Sequence, residues 1–136
     1  MNNGLILSYM RTIYRVFEPQ IDIKIGEINP ALTKLLSENN FDAWAYITPY
    51  NPYSKVLSQA ENDIRFKQLN ELLKGYPTYL GEGVGEDPNW LPEKSVLVLG
   101  ITRSEASRIG SLFEQNAIVL GLKGQSAELL LLLNNE

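Results

Sequence analysis

The chain contains neither cysteine nor histidine among its 136 residues. Without cysteine it can form no disulfide and has no thiolate nucleophile or thiolate metal ligand, and without histidine it has no imidazole base or ligand. A metal site would have to use oxygen ligands, and we expect neither a metal nor a cofactor. The chemistry of any site must therefore come from carboxylates, amides, hydroxyls and cationic side chains.

Positive charge and long apolar runs are also scarce. Twelve basic residues face 16 acidic ones, for a net charge of −4, which disfavours sequence-independent binding to duplex nucleic acid. The apolar runs at 5–7 and 129–133 are shorter than the roughly 20 residues of a membrane span or the roughly 7–15 of a signal peptide core. We therefore expect a cytoplasmic protein with no membrane or duplex nucleic-acid partner.

The composition that remains is typical of one folded domain, spanning 1–136. Hydrophobic residues make up 44% and charged residues 21%, as in packed globular proteins. The β-branched and aromatic stretch 12–17 and the alternating stretch 21–25 predict a hairpin. Asn29 and Pro30 then predict the start of a helix that ends at Asn39-Asn40. The N-terminal part, 12–40, is thus expected to be a hairpin followed by a helix.

Residues 43–120 follow the order strand, helix, strand, strand, helix, strand. The predicted strands are 43–48, 78–80, 95–101 and 117–120, and the two helices begin at the capping boxes Ser58/Glu61 and Thr102/Glu105. This β-α-β-β-α-β order is typical of the ferredoxin-like split βαβ fold, with strand order 4-1-3-2 and both helices on one face. We predict an α+β domain with this core, the added N-terminal hairpin and helix, and a C-terminal strand or helix at 128–133.

Three connections of that topology meet at one end of the sheet, namely 48–58, 81–93 and 115–117. They carry polar or aromatic residues that a strand does not require: Asn51, Ser54, Trp90, Glu93, Gln115 and Asn116. Asn62 and Arg65 lie on the inward stripe of the first core helix, near its start at the same end. We expect these side chains to cluster as a ligand-binding site, with Arg65 paired to Glu93 or another carboxylate, binding an anion, or both.

Four segments at these positions resemble the motifs of an uncharacterised bacterial domain-of-unknown-function family. They are Asn51-Pro52-Tyr53-Ser54 (Asn-Pro-x-Ser), Asn62 to Arg65 (Asn-x-x-Arg), Trp90 to Glu93 (Trp-x-Pro-Glu) and Phe113 to Ala117 (Phe-x-Gln-Asn-Ala). The resemblance covers roughly residues 40–120 and brings no known activity. It implies that these polar positions belong together.

Three functions are compatible with such a site. The leading hypothesis is a small-molecule binding domain for an anionic, nucleotide-like ligand, with Arg65 taking the charge and Trp90 or a tyrosine stacking on the ligand. The first alternative is a protein–protein interaction module that uses an exposed sheet face or edge strand. The second is a carboxylate-dependent hydrolase or transferase with Glu93 as general acid or base. The fold alone does not choose among them.

Overall fold

The computed structural model describes residues 3–132, which contain four α-helices and seven strands. The elements are α1 (Asn3–Met10), β1 (Ile13–Val16), β2 (Ile21–Ile23), α2 (Pro30–Glu38), β3 (Ala43–Ile47), a short 3-10 turn (Pro52–Ser54), α3 (Gln59–Leu72), β4 (Thr78–Val84), β5 (Glu93–Leu99), α4 (Arg103–Leu112), β6 (Ala117–Leu122) and β7 (Glu128–Leu131). None of the helices described combines the length and hydrophobicity that a membrane crossing requires.

All seven strands belong to one antiparallel sheet in the order β2-β1-β4-β5-β3-β6-β7. The mixed helix and strand content predicted from the sequence is confirmed. So is the pairing of the strands predicted at 43–48 and 95–101, in which Trp44 lies opposite Leu99. Both core helices, α3 and α4, pack on one face of this sheet, where Leu69 and Ile109 join the apolar side chains of β3, β5 and β6. We call this the outer face.

The sheet is curled, so that its two edges meet at one point. An isolated parallel bridge joins Ile25, after β2, to Ala127, before β7. The amide of Gly26 donates to the Ala127 carbonyl at 2.8 Å, and the Ala127 amide donates to the Glu27 carbonyl at 3.1 Å. The concave side is the inner face. The predicted helix α2 begins at its Asn29 cap and packs on the inner face with Trp44.

The structure corrects the predicted loop 81–93, because β4 continues through Gly81 and Gly83 to Val84. The hydroxyl of Tyr46 on β3 donates to the backbone carbonyl of Arg15 at 2.6 Å, passing the position where a side chain at residue 81 would lie. A Cβ atom at Gly81 would come within 1.9 Å of that carbonyl oxygen. Glycine here therefore permits the close approach of β1 and Tyr46 rather than ending the strand.

Two further elements differ from the sequence prediction or complete it. Residues 3–10 form α1, which was not predicted, because its apolar residues show no helical stripe. Residues 128–131 form the strand β7, which decides between the strand and the helix that the leucine run left open. Residue 133, the end of that predicted element, lies outside the described residues.

Candidate functional site

A cavity of about 430 Å³ lies between α1 and the inner face of the sheet. This volume falls within the range of small-molecule sites in proteins, about 300–1,000 Å³. Five of the eight predicted site residues line it: Asn51, Ser54, Trp90, Glu93 and Gln115. Tyr9 and Thr12 contribute to one wall, and Tyr14 and Tyr46 to the opposite, strand-borne wall. The polar connections expected to meet at one end of the sheet thus form one part of an open cavity.

Glu93, the first residue of β5, is the partly buried carboxylate of this cavity. Its Oε2 atom accepts hydrogen bonds from Asn51 Nδ2 at 2.9 Å and from the Trp90 indole Nε1 at 3.2 Å. Its Oε1 atom accepts none from residues 3–132, and within that range no lysine or arginine forms an ion pair with it. Burial raises the pKa of Glu93, although the bonds from Asn51 and Trp90 act in the opposite direction.

The orientation of Asn51 is fixed by Asn62, which lies on α3 and is only 4% exposed. The two asparagines bind each other reciprocally: Asn62 Nδ2 donates to Asn51 Oδ1 at 3.0 Å, and the Asn51 amide donates to Asn62 Oδ1 at 3.1 Å. The Leu57 amide also donates to Asn51 Oδ1. With its oxygen occupied in this way, Asn51 presents its Nδ2 group to Glu93. Asn62 does not line the cavity and acts through Asn51 as a positioning residue.

The backbone of this connection adopts an unusual conformation. Asn51, Tyr53 and Ser54 have φ values of 50°, 50° and 64°, in the left-handed region that costs non-glycine residues roughly 1–3 kcal/mol each. Contacts with the turn before β6 hold them there. The Tyr53 amide donates to the Glu114 carbonyl at 2.7 Å, and Asn116 Nδ2 donates to Ser54 Oγ at 3.0 Å. The site is therefore built from two turns that depend on each other.

Gln115 and Asn116 are both buried, and their amides face different partners. Gln115 lines the cavity, yet its Nε2 group donates to the carbonyls of Tyr50 and Phe113, at 3.0 and 3.1 Å. Asn116 is not a lining residue, and it holds Ser54 from behind. Both side chains fix the two turns together.

Arg65 is on the other side of these turns and does not line the cavity. Its Nε donates to the Pro49 carbonyl at 2.7 Å, one of its terminal nitrogens donates to the Phe113 carbonyl, and its guanidinium lies 5.5 Å from the centre of the Phe113 ring. The expected pair between Arg65 and Glu93 is wrong, because the carboxylate beside Arg65 is that of Glu114, at 3.6 Å. Both residues are at the same end of the sheet, but Arg65 belongs to a helix on the outer face and Glu93 points to the inner one.

Tyr9 on α1 is one of the lining residues that the sequence prediction missed. Burial raises the pKa of its hydroxyl, although the polar side chains of Asn116 and Ser54 act in the opposite direction. The Tyr14 hydroxyl donates to the Tyr9 carbonyl at 2.9 Å, which ties α1 to β1. Since α1 has no apolar stripe, only a tertiary contact of this kind could have identified the residue.

Acidic groups dominate the charge around the cavity. The charged lining residues are Arg11, Glu86, Asp87 and Glu93, and Arg11 lies 3.7 Å from Glu86 with both side chains largely exposed. Within residues 3–132, no three acidic side chains are grouped in a way that could hold a metal ion. The cavity therefore offers a ligand one partly buried carboxylate, several amides and hydroxyls, and aromatic walls.

Glu93→Gln is expected to stabilise the protein by an amount that grows with pH. The raised pKa means that folded Glu93 keeps its proton above about pH 4.3, where an unfolded glutamate loses it. The free energy of unfolding of the wild type therefore falls as the pH rises through the folded pKa, whereas glutamine has no proton to lose. Thermal melts between about pH 4 and 8 measure this difference. Glu71→Gln, at an exposed position of α3, is the control, and a Glu93→Gln difference that is independent of pH would contradict the assignment.

Comparison with known families gives a match to the part of the chain that contains the eight predicted site residues. A family model described as a protein of unknown function, DUF3293, matches residues 47–118. This range contains the four segments whose motifs resembled such a family, whereas α1 lies before it. Searches of curated proteins and of solved structures give no significant match. Because the matched range covers more than half of the 136 residues, the chain belongs to the DUF3293 family of proteins of unknown function.

Proposed function

We propose that this protein is a small-molecule binding domain whose ligand occupies the cavity beneath α1. The observation that carries the proposal is the state of Glu93: among residues 3–132, no group donates a hydrogen bond to its Oε1 atom and no lysine or arginine forms an ion pair with its carboxylate. Partly buried charged groups in folded proteins are usually paired or fully hydrogen-bonded. A bound ligand would supply the missing partner.

The surroundings of Glu93 support the same proposal. Small-molecule sites combine a concave, largely apolar surface with a few fixed polar groups. Here Tyr14 and Tyr46 contribute apolar ring surface, and Asn51 and Glu93 are the fixed polar groups. The left-handed backbone at Asn51, Tyr53 and Ser54 is held by hydrogen bonds to the turn before β6. Strain of this kind is concentrated at functional sites, where it fixes side chains in advance of binding.

The fold and the location are proposed on separate grounds. We propose that residues 43–120 form a ferredoxin-like split βαβ core, which is supported by the order β6-β3-β5-β4 and by the two helices on the outer face. We also propose a cytoplasmic location, for which the lack of cysteine is the supporting observation.

The two alternatives each have one supporting feature. A raised pKa suits Glu93 to the role of general acid, as in a carboxylate-dependent hydrolase or transferase. An interaction module could use the exposed apolar residues Phe17 and Leu80, which are hydrogen-bonded neighbours through their backbones. Neither feature explains the cavity and its preset turns, so binding remains the leading proposal.

Filling the cavity is expected to abolish binding without unfolding the protein. Gly83 is a lining residue of β4, and a Cβ added there has only Thr12 Cγ2 within 4 Å, at 3.9 Å. Gly83→Phe should therefore place a ring in the cavity. For compounds that stabilise the wild type in a thermal-shift screen, by about 2.7 kcal/mol at one hundred times the dissociation constant, this variant should show no stabilisation.

Leu80→Phe is the matched control, because residue 80 belongs to the same strand and is exposed. It should respond to the same compounds as the wild type does. The proposal fails if a screen of cationic, neutral and anionic small molecules stabilises nothing, or if Gly83→Phe responds like the wild type.

A further inference from the structure

The charge and the hydrogen-bonding capacity of the cavity identify a class of ligand, an inference that rests on the proposed binding function. We infer that the ligand is a compact organic cation, in which an ammonium or amidinium group binds Glu93 Oε1 and a small apolar body lies against the aromatic walls. The anionic ligand expected from the sequence depended on Arg65, which lies outside the cavity.

The first step concerns the free oxygen of Glu93. Asn51 and Trp90 both donate to Oε2, which leaves the lone pairs of Oε1 available. Among the described residues, every fully buried side-chain oxygen or nitrogen has a hydrogen-bond partner. Because Oε1 has none, this atom is not fully buried and is accessible from the cavity. A group with N–H donors and a positive charge would satisfy both the hydrogen bonds and the charge of this carboxylate.

The second step concerns the remaining charges. Asp87 and Glu86 add negative charge to that of Glu93. Among the described residues that line the cavity, Arg11 is the one cation, and it already lies 3.7 Å from Glu86. A phosphate or carboxylate placed near Glu93 would therefore meet three lining carboxylates and one cation that is already paired. A cation meets attraction at every lining carboxylate.

The third step concerns the walls. Tyr14 and Tyr46 line the cavity, but their hydroxyl protons are donated to the backbone carbonyls of Tyr9 and Arg15. They therefore offer ring surface more than hydrogen-bond donors. Trp90 donates its indole N–H to Glu93 Oε2, so a third aromatic ring lies next to this carboxylate. An organic cation that reaches the face of any of these rings would gain cation–π attraction in addition to the charge of Glu93.

Compounds that share one ring and differ in charge test this inference. Benzylammonium and benzamidinium are the cations, benzyl alcohol and benzamide are their neutral counterparts, and benzoate is the anion. In titration calorimetry or NMR titration, we expect each cation to bind the wild type at least about tenfold more tightly than its neutral counterpart, with benzoate the weakest.

Glu93→Gln distinguishes the effect of this one carboxylate on cation binding from the effect of the protein's overall negative charge. Glutamine retains an oxygen that accepts from Asn51 and Trp90, but it carries no charge, so the preference for cations over neutral compounds should fall to near unity. Glu71→Gln removes one negative charge from an exposed position of α3, outside the cavity lining, and should leave the preference unchanged.

The outcomes distinguish this inference from the proposed function. If neutral compounds bind as tightly as the cations, if neither cation binds while other screened compounds do, or if Glu93→Gln keeps the preference, the ligand class is wrong and the binding site stands. If no compound of any charge binds, both the ligand class and the binding function are wrong.

Discussion

Arg65→Ala is expected to lower the free energy of unfolding by about 3–5 kcal/mol. The guanidinium is a donor for the carbonyls of Pro49 and Phe113, which belong to the two turns that carry the site residues. A hydrogen bond from a charged donor contributes about 1.5–3 kcal/mol. In the variant, the Pro49 carbonyl loses its side-chain donor and the Phe113 carbonyl keeps only the one from Gln115, while the loss of the contact with the Phe113 ring adds to the cost. The Glu114 side chain is half exposed, so its ion pair contributes little.

Denaturant unfolding of Arg65→Ala beside Arg103→Ala measures the effect. Arg103 also forms an ion pair, with Glu128 at 3.3 Å, but both side chains are more than half exposed, and its loss should cost less than about 1 kcal/mol. Arg65→Lys should fall between wild type and Arg65→Ala, because one ammonium lacks the planar fork that reaches both carbonyls. If Arg65→Ala and Arg103→Ala lowered the free energy of unfolding equally, the hydrogen bonds from Arg65 to the two turns would not stabilise the fold.

Gly81→Ala is expected to cost about 3 kcal/mol. The added methyl group would lie 1.9 Å from the Arg15 carbonyl oxygen and 2.8 Å from the Tyr46 hydroxyl. Backbone atoms cannot move aside as the end of a flexible side chain can, so β1 must shift away from β4. The hydrogen bond from Tyr46 to Arg15 would be lost with it.

Gly83→Ala provides the comparison for Gly81→Ala within the same strand. Its new methyl group would meet only Thr12 Cγ2, at 3.9 Å, which is ordinary contact. We expect the free energy of unfolding of this variant to lie within about 0.5 kcal/mol of the wild-type value. If the two alanine variants were equally stable in denaturant titrations, the close approach at Gly81 would not be a constraint on the fold.

The core elements were predictable because their signals are local. Ser58 and Glu61 form the capping box expected at the start of α3, and Thr102 accepts from the Glu105 amide at the start of α4. The apolar run at 43–48 and the run at 95–101 became paired central strands. Each of these features depends on residues a few positions apart, and no knowledge of the rest of the molecule is needed to recognise it.

What could not be predicted depends on residues distant in sequence. The helical stripe of Arg65 showed that this residue points inward and toward the loop end, but not that Glu93 is reached from the opposite face of the sheet. Gly81 was interpreted as a loop residue. The need for glycine at this position comes from the close approach of Tyr46 and Arg15, which are distant in sequence. The helix α1 is tied to β1 by the hydrogen bond from the Tyr14 hydroxyl to the Tyr9 carbonyl, and this bond leaves no pattern in the sequence of the helix.

The bridge between Ile25 and Ala127 has a consequence for how copies of this chain meet in solution. An open sheet presents two rows of free amides and carbonyls, and either row can template a strand from another molecule. Here the amides of Gly26 and Ala127 and the carbonyls that they bind are already used within the chain. A second copy therefore cannot extend the sheet across these positions, and the curl of the sheet also shortens the two edges along which molecules could aggregate.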